Sequence, residues 1–409
     1  MIIKSAVMVL RGLSIGARFC LSFVFVKYIS LSFQGEYSLL VTSITLAMLI
    51  IGFDFYVFSN RFIIQNKNLA AKAISNQFVS QFLLYGILLF VFLIAKAFFK
   101  PSIYLELSFF FLLFLEHIGM EMFRLLIALE KPLAANIVLF LRTGTWPIYL
   151  IYLVIIKQEI ISIDTIINSW LVASVVAVLV SGWILSKVVK FSKFNFDLKW
   201  VLQGYGVATL FLVSTIAQKG IEFSDRYIIN AYKGPEDLGV YSFYFQLANV
   251  ATVAIYTLLF SFKYPSVLAA IEEKNWKKLK GVISRLETQI LVFMAVYSII
   301  IFIALPVILD LVGKPGLSEQ WYLLFFFLLG NLFFNLSFTS HYALMGLHKD
   351  KELMWISILV SVVNLGCNLL AVFLYGVLGA VVVFSFSSIL LYLFKRNRKR
   401  HYFNLIKND

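Results

Sequence analysis

From Leu353 to Phe394 the chain runs for 42 residues without one Asp, Glu, Lys or Arg. As a helix the stretch would extend about 63 Å, roughly twice the hydrocarbon thickness of a bilayer. It is too long for one span and has to cross a membrane twice, and Tyr375-Gly376-Val377-Leu378-Gly379 is the natural turn. The rest of the chain has the same character. Hydrophobic residues make up 61% and charged ones 14%, against roughly 25% charged in soluble domains. The chain reads as a polytopic membrane protein.

Counting about 20 mostly apolar residues per span places helices near 6–29, 37–58, 77–99, 104–127, 133–156 and 165–186, then near 201–230, 239–262, 286–309, 320–345, 353–375 and 377–394. The fold expected is all-α, with twelve transmembrane helices in two six-helix lobes. Residues 1–186 form the N-terminal lobe, 187–200 a basic cytoplasmic linker, 201–394 the C-terminal lobe and 395–409 a basic tail. Of the loop lysines and arginines, 24 fall on one side (among them Lys4, Lys193 and Lys407). Only Lys96, Lys100, Lys157, Lys233 and Lys314 fall on the other. The positive-inside rule then puts both termini in the cytoplasm. Topology and anionic-lipid contact account for the net charge of +14, so nucleic acid is not an expected partner. Glu272–Leu286, basic and apolar residues interleaved around Trp276, is expected to lie as a helix on the cytoplasmic surface. Arg11 and Arg18 interrupt the first apolar segment and no small-residue cleavage site follows, which argues against a removed leader. Cys20 and Cys367 lie inside apolar segments and read as packing residues.

The two halves repeat. Gly35-Glu36-Tyr37-Ser38 returns as Gly239-Val240-Tyr241-Ser242 at an offset of 204. Lys67-Asn68 returns as Lys274-Asn275 and Ala128-Leu129-Glu130-Lys131 as Gly346-Leu347-His348-Lys349, at offsets of 207 and 218. Three landmarks in one order imply a duplicated unit. With an even number of spans per half, the lobes share one membrane orientation. Gln34 and Leu238, just before the first pair of motifs, are expected on outer loops.

Several spans carry charge, which inside a bilayer has to face protein or water. On helix 1, Arg11, Ser14, Arg18 and Ser22 share a face; on helix 4, Glu106, His117, Glu121 and Arg124 do. Helix 7 carries Thr215, Lys219, Glu222, Arg226 and Asn230. Helix 2 adds Asp54, and helix 5 places Arg142 near its middle. The repeat offset maps Arg18 onto Glu222 and Ser22 onto Arg226, so the charged faces of helices 1 and 7 are equivalent and would meet across a central cleft. With Glu106 set aside and Glu116 and Asp225 added, six bases stand against five acids. Such a set either pairs internally as structural glue or lines a hydrated cavity.

Phe33-Gln34-Gly35-Glu36-Tyr37-Ser38-Leu39 resembles the end of helix 1 in bacterial polysaccharide-repeat flippases of the Wzx (O-antigen) type. So do Asp225-Arg226-Tyr227-Ile228-Ile229 and the run from Asn364-Leu365-Gly366-Cys367-Asn368 to Gly379-Ala380. These flippases belong to the superfamily of multidrug, oligosaccharidyl-lipid and polysaccharide exporters. The likeness spans about residues 5 to 394. It implies two lobes in a V, alternating access, and residence in the bacterial cytoplasmic (inner) membrane. The cargo it implies is an undecaprenyl-pyrophosphate-linked oligosaccharide moved from the inner to the outer leaflet. A polysaccharide polymerase and membrane lipids are the other partners expected. A pyrophosphate needs fixed cations, and Arg suits phosphate through its planar fork. Helix geometry nominates Arg11, Arg18, Arg142, Lys219 and Arg226 for the anion, with Asp54, Glu121, Arg124 and Glu222 as their charge partners.

No nucleotide-binding sequence or other cofactor motif is present, so coupling to Na+ or H+ is expected. The resemblance to lipid II flippases implies a sodium site between helices 7, 11 and 12, where Asp225, Asn364, Asn368 and Ser385 lie at similar depth. Asp225 could carry a proton instead, and the asparagines could simply bond across packed helices. Among rival functions, a drug/cation antiporter of the same superfamily would want an acid-rich cavity, whereas helix 1 carries two arginines and no acid. A membrane glycosyltransferase or polymerase would want a large outer loop or an acidic pair, and the sequence supplies neither. The chain does not read as an enzyme.

Overall fold

The structure, a computed structural model, describes residues 2–98, 104, 106–190 and 196–408. Lys100 and Lys193, and the side chains of Lys4 and Lys407, lie outside the described residues. The described residues contain helices and connecting turns, with no strand. In chain order the helices are α1 (Ile2–Val24), α2 (Leu31–Gly52), α3 (Phe55–Gln65), α4 (Ala70–Phe98), α5 (Leu107–Ala128), α6 (Pro132–Thr143), α7 (Thr145–Ile155) and α8 (Ile163–Val188). They continue as α9 (Leu198–Lys233), α10 (Pro235–Ile255), α11 (Ser261–Glu272), α12 (Trp276–Val312), α13 (Pro315–Ser318), α14 (Tyr322–Gly346) and α15 (Asp350–Asn408).

Ten helical segments are long and apolar enough to cross a bilayer. One of them, α15, breaks at Gly376, whose φ of 59° and ψ of −137° lie outside the helical range, so it supplies two spans. A methyl on Gly379 would overlap the Ala371 carbonyl, which shows how closely the two arms of this hairpin approach. α5 is the twelfth span and carries Glu116, Glu121 and Arg124. Large apolar side chains on the outer faces, such as Phe90 and Ile303, are more than 60% exposed. In a protein of this class that surface meets lipid.

Packing divides the chain into two compact units, Met1–Val24 with Leu40–Leu212 and Phe25–Leu39 with Val213–Asp409. These limits differ from the linker at 187–200 because α9 is one continuous helix of 36 residues. Its first turns pack with the first unit: Trp200 meets the Phe55 ring edge-on and Tyr205 lies tilted against it, and Gly204 makes room for that ring. Asp197 begins this segment, capping α9 through the Trp200 N–H and pairing with Lys72 at 2.8 Å. The Lys72 ammonium holds the Asp197 carboxyl below its ordinary range.

The duplication is visible in the backbone. α5 ends with Glu130 at φ 61° and α14 ends with His348 at φ 56°. In both, the left-handed residue and the one after it donate back into the last helical turn, Lys131 to Leu126 and Lys349 to Leu344. That is the αL termination of a helix, made twice by equivalent residues. The pair Lys67 and Lys274 diverges: Lys274 is left-handed (φ 51°), whereas Lys67 opens a 3-10 turn. The Gly35 and Gly239 copies meet each other. A methyl on Gly35 would overlap the Pro235 carbonyl oxygen, and one on Gly239 would overlap that of Leu31. Both contacts lie within the second unit, and they are equivalent under the repeat offset of 204, which maps Leu31 onto Pro235 and Gly35 onto Gly239. Small residues let membrane helices approach to backbone contact, which is why glycine stands at both positions.

Several expectations are corrected. Gln34 and Leu238 are fully buried in this contact and do not sit on loops. The chain of helix 2 breaks at Phe53 and Asp54, both left-handed, so Asp54 stands at a helix break and not within a span. Gly52 at that break lets the His117 ring approach, since a methyl there would sit 2.7 Å from its Nε2. Helix 5 is two helices, α6 and α7, parted at Gly144. The segment 272–286 is no separate surface helix: α12 runs from Trp276 straight into its span. Leu279 and Ile283 pack on Val267, Ala270 and Ala343, which gives that apolar face a protein partner. The tail continues α15, and its Lys395 and Lys399 are buried, Lys399 against Glu287 at 2.9 Å.

The glycine contact makes a clear prediction. Gly35→Ala and Gly239→Ala will each lower thermal stability in detergent, because neither neighbouring carbonyl can yield without moving a helix. Gly12→Ala, where a methyl meets nothing within 4 Å, will leave stability unchanged or raise it by up to about 1 kcal/mol. Equal melting temperatures for all three variants would contradict the contact.

Candidate functional site

The charged spans resolve into two kinds of group. In the first unit Glu116 on α5 is buried and accepts from Arg142 Nη1 at 2.5 Å, Trp170 Nε1 at 2.7 Å and Ser174 Oγ at 2.9 Å. Gly119, one turn along α5, leaves room for the Arg142 side chain. Arg142 is thus buried and neutralised by Glu116, which sets it apart from the more accessible cations nominated for an anionic ligand. Glu121 is equally engaged, accepting from Gln77 Nε2 and Arg124 Nη1, each at 2.6 Å. His117 lies 3.9 Å from the same carboxylate, and the Arg124 guanidinium stands 3.6 Å over the Tyr56 ring. Glu106 is apart from this stripe, exposed and paired with Lys96.

Arg11 and Arg18 on α1 are different: both are half-buried. Arg11 Nε donates to Asn136 Oδ1 at 2.8 Å and Arg18 Nε to the Thr143 carbonyl at 3.3 Å. The partners, like the arginines, are seven residues apart, so α1 and α6 run side by side in register. The Thr143 carbonyl is open because Pro147, four residues on, has no N–H to give it. Arg18 lies 5.9 Å from the Trp146 ring and 5.5 Å from that of Trp170, and these indoles stack at 4.7 Å. Cation–π attraction of this kind contributes about 0.5–2 kcal/mol. In both arginines the inner nitrogen is held, and among the described residues nothing bonds the terminal Nη pair. Asn136, Trp146 and Trp170 escaped the sequence reading because an amide and two indoles in apolar spans look like ordinary packing residues.

In the second unit Lys219 and Glu222 on α9 pair at 2.6 Å and are half-exposed. Arg226 is 7% exposed, its guanidinium 4.8 Å from the Phe223 ring and 4.7 Å from that of Phe245. Asp225 is buried and accepts from the Tyr241 hydroxyl and the Arg226 N–H, so the tyrosine of the repeated motif holds this carboxylate. Asn364 and Asn368 form one chain: Asn364 Oδ1 accepts from Ser224 and Asn368, and its amide donates to Ser387. Ser385 donates instead to the Phe326 and Val381 carbonyls. Of the four oxygens expected around a cation, Asn368 Oδ1 is buried without a hydrogen-bond partner, an open acceptor that fits such a ligand.

Glu116→Gln will cost about 3–5 kcal/mol of stability, because it leaves Arg142 charged and unpaired in the interior. Arg18→Ala, which removes a half-exposed cation, will cost about 1–2 kcal/mol. Thermal unfolding in one detergent measures both, and the reverse ranking would overturn this division of roles.

No protein-family model and no curated protein sequence matches the chain. Solved structures do match. An inward-facing multidrug resistance MATE family transporter of the MOP superfamily aligns at a TM-score of 0.77 over 95% of each chain, with 13% identity. An outward-facing structure of such a transporter aligns at 0.68, over 100% of this chain and 97% of the other, also with 13% identity. A MATE protein in the straight conformation aligns at 0.65 over 100% and 97%, with 14% identity. The chain therefore has the fold of the MATE transporters, a membrane fold of twelve helices.

Proposed function

We propose that the protein is a transporter working by alternating access. Its cargo on this reading is a pyrophosphate-linked oligosaccharide on a polyprenyl lipid, moved from the inner to the outer leaflet of a bacterial cytoplasmic membrane with both termini inside. One observation carries the reading: Arg11 and Arg18 each present a free terminal fork from a fixed inner nitrogen. A guanidinium held this way offers two parallel N–H groups, matching two oxygens of a phosphate. The forks stand two helical turns apart, about 10 Å along α1, and long side chains can bring both toward one diphosphate or pass it from one to the other. Asn136, Trp146 and Trp170 are buried behind the arginines and hold them in place.

The acids argue against a cationic drug as cargo. Glu116, Glu121, Glu222 and Asp225 all have donors already bound. A bulky cationic drug would have to displace these donors, whereas an anion meets two open forks. Lys219 and Arg226 complete the nominated cations in the second unit, Lys219 by exchanging Glu222 for the ligand.

Transport in a flippase-deficient bacterial strain tests the anion site. Arg18→Ala will abolish surface polysaccharide at unchanged membrane level of the protein, and Arg18→Lys will restore only part, since charge survives and the fork does not. Full activity of Arg18→Ala would defeat the assignment. For coupling, Asp225, Asn364, Asn368 and Ser385 remain the proposed set for Na+ or H+. In vesicles with an imposed gradient of either ion, Asp225→Asn will lose gradient-driven transport, and indifference to that change would remove Asp225 from the coupling step.

A further inference from the structure

α12 contains Pro306 in its last two turns, and a proline has no N–H to give the carbonyl four residues before it, here Phe302. Both residues line a cavity of about 800 Å³ between the end of α12 and the segment Gly313–Trp321 that follows it. One turn beyond the proline, Asp310 lines the same cavity. The helix then stops at Gly313, left-handed with φ 69°, and Lys314 lines the cavity as well. On an unbroken helix Asp310 and Lys314 would stand as an i,i+4 pair. Here they line one cavity without an ion pair between them among the described residues. Asp310 thus brings a carboxylate and Lys314 an ammonium to this cavity, and Phe302, whose carbonyl Pro306 cannot bond, belongs to its lining. The floor is apolar, with Leu305 and Leu309, and Trp321 closes one side.

The surroundings give the depth. Ile303, Val307 and Leu311 on the same helix are 60–73% exposed, an apolar face that meets lipid and ends where the cavity opens. Trp321 is 52% exposed, as interfacial tryptophans are. A cavity at this level with an unpaired carboxylate and an unpaired ammonium is complementary to a zwitterion attached to an acyl chain.

We infer that this cavity binds the headgroup of a phospholipid carrying a primary amine, with Asp310 and the Phe302 carbonyl accepting from the amine and Lys314 holding the phosphate. The site is independent of the cargo proposed above. A quaternary amine has no N–H, so it forfeits the two acceptors and keeps only the phosphate contact.

The test is native mass spectrometry of the full chain in mild detergent, titrated with an equimolar mixture of phosphatidylethanolamine and phosphatidylcholine of matched acyl chains. The wild type will retain the ethanolamine lipid in about tenfold excess, the worth of one charge-assisted hydrogen bond. Asp310→Asn, which removes the charge, will cut the preference several-fold, and Lys314→Gln will lower both lipids together. Pro306→Ala, which restores an N–H to the Phe302 carbonyl, will reduce the preference by a smaller factor. Equal retention by the wild type, an undiminished preference in Asp310→Asn, or no loss with Lys314→Gln would each overturn the site. Asp310 is exposed and Lys314 lies at a helix end, so their substitution leaves folding intact, and unchanged transport by both variants separates this site from the cargo path.

Discussion

The first unit depends on one carboxylate. Glu116 is buried on α5 and receives Arg142 from α6 and both Trp170 and Ser174 from α8. Lipid offers no water to stabilise that charge, so the three donors are what make it tolerable, and three helices are fixed as a result. The consequences run outward. Trp170, held by its N–H, stacks on Trp146 of α7, and the stacked pair lies against Arg18 of α1. Arg18 in turn occupies the carbonyl that Pro147 leaves open. The buried pair is thus the foundation on which the half-buried Arg18 is held.

Much of the architecture could be read from the chain because lipid imposes a length. Twelve spans, the turn at Gly376 and the duplication all follow from uncharged stretches of about 20 residues and from three recurring landmarks. The breaks within spans were harder to see. Helix 5 divides at Gly144 because Pro147 withdraws a hydrogen bond one turn later, yet the apolar runs on either side of Arg142–Pro147 together have the length of a single span. Asp54 read as a charge within the span 37–58, since a left-handed residue that ends a helix leaves no mark on periodicity. Spacing placed Arg11 and Arg18 on one face correctly and could not distinguish them from Arg142. That distinction lies in which partners come from other helices, between 26 and 125 residues away in sequence.

The two halves have diverged unevenly. The helix ends at Glu130 and His348 keep one backbone geometry with unrelated side chains, because a left-handed cap constrains dihedral angles more than chemistry. The charged positions have not kept their identity: Arg18 corresponds to Glu222, and buried Ser22 to Arg226. The first unit offers open cations on α1, whereas at equivalent positions the second places an ion pair and a cation between aromatic rings. Duplication supplied the scaffold, and the polar interior was written separately in each copy.

The contact between the two glycine motifs is isologous. Gly35 touches the residue equivalent to Leu31, and Gly239 touches Leu31 itself, so each half presents the same patch to the same patch. Self-complementarity of this kind is the signature of a two-fold dimer interface. A chain of half this length, bearing the motif once, would hold both sides of the contact and could make it only with a second copy of itself. Fusing two copies into one chain removes the concentration dependence of that encounter. It also frees the surrounding residues from having to serve both sides, and the substitution of Gln34 by Leu238 at equivalent buried positions is what such freedom looks like.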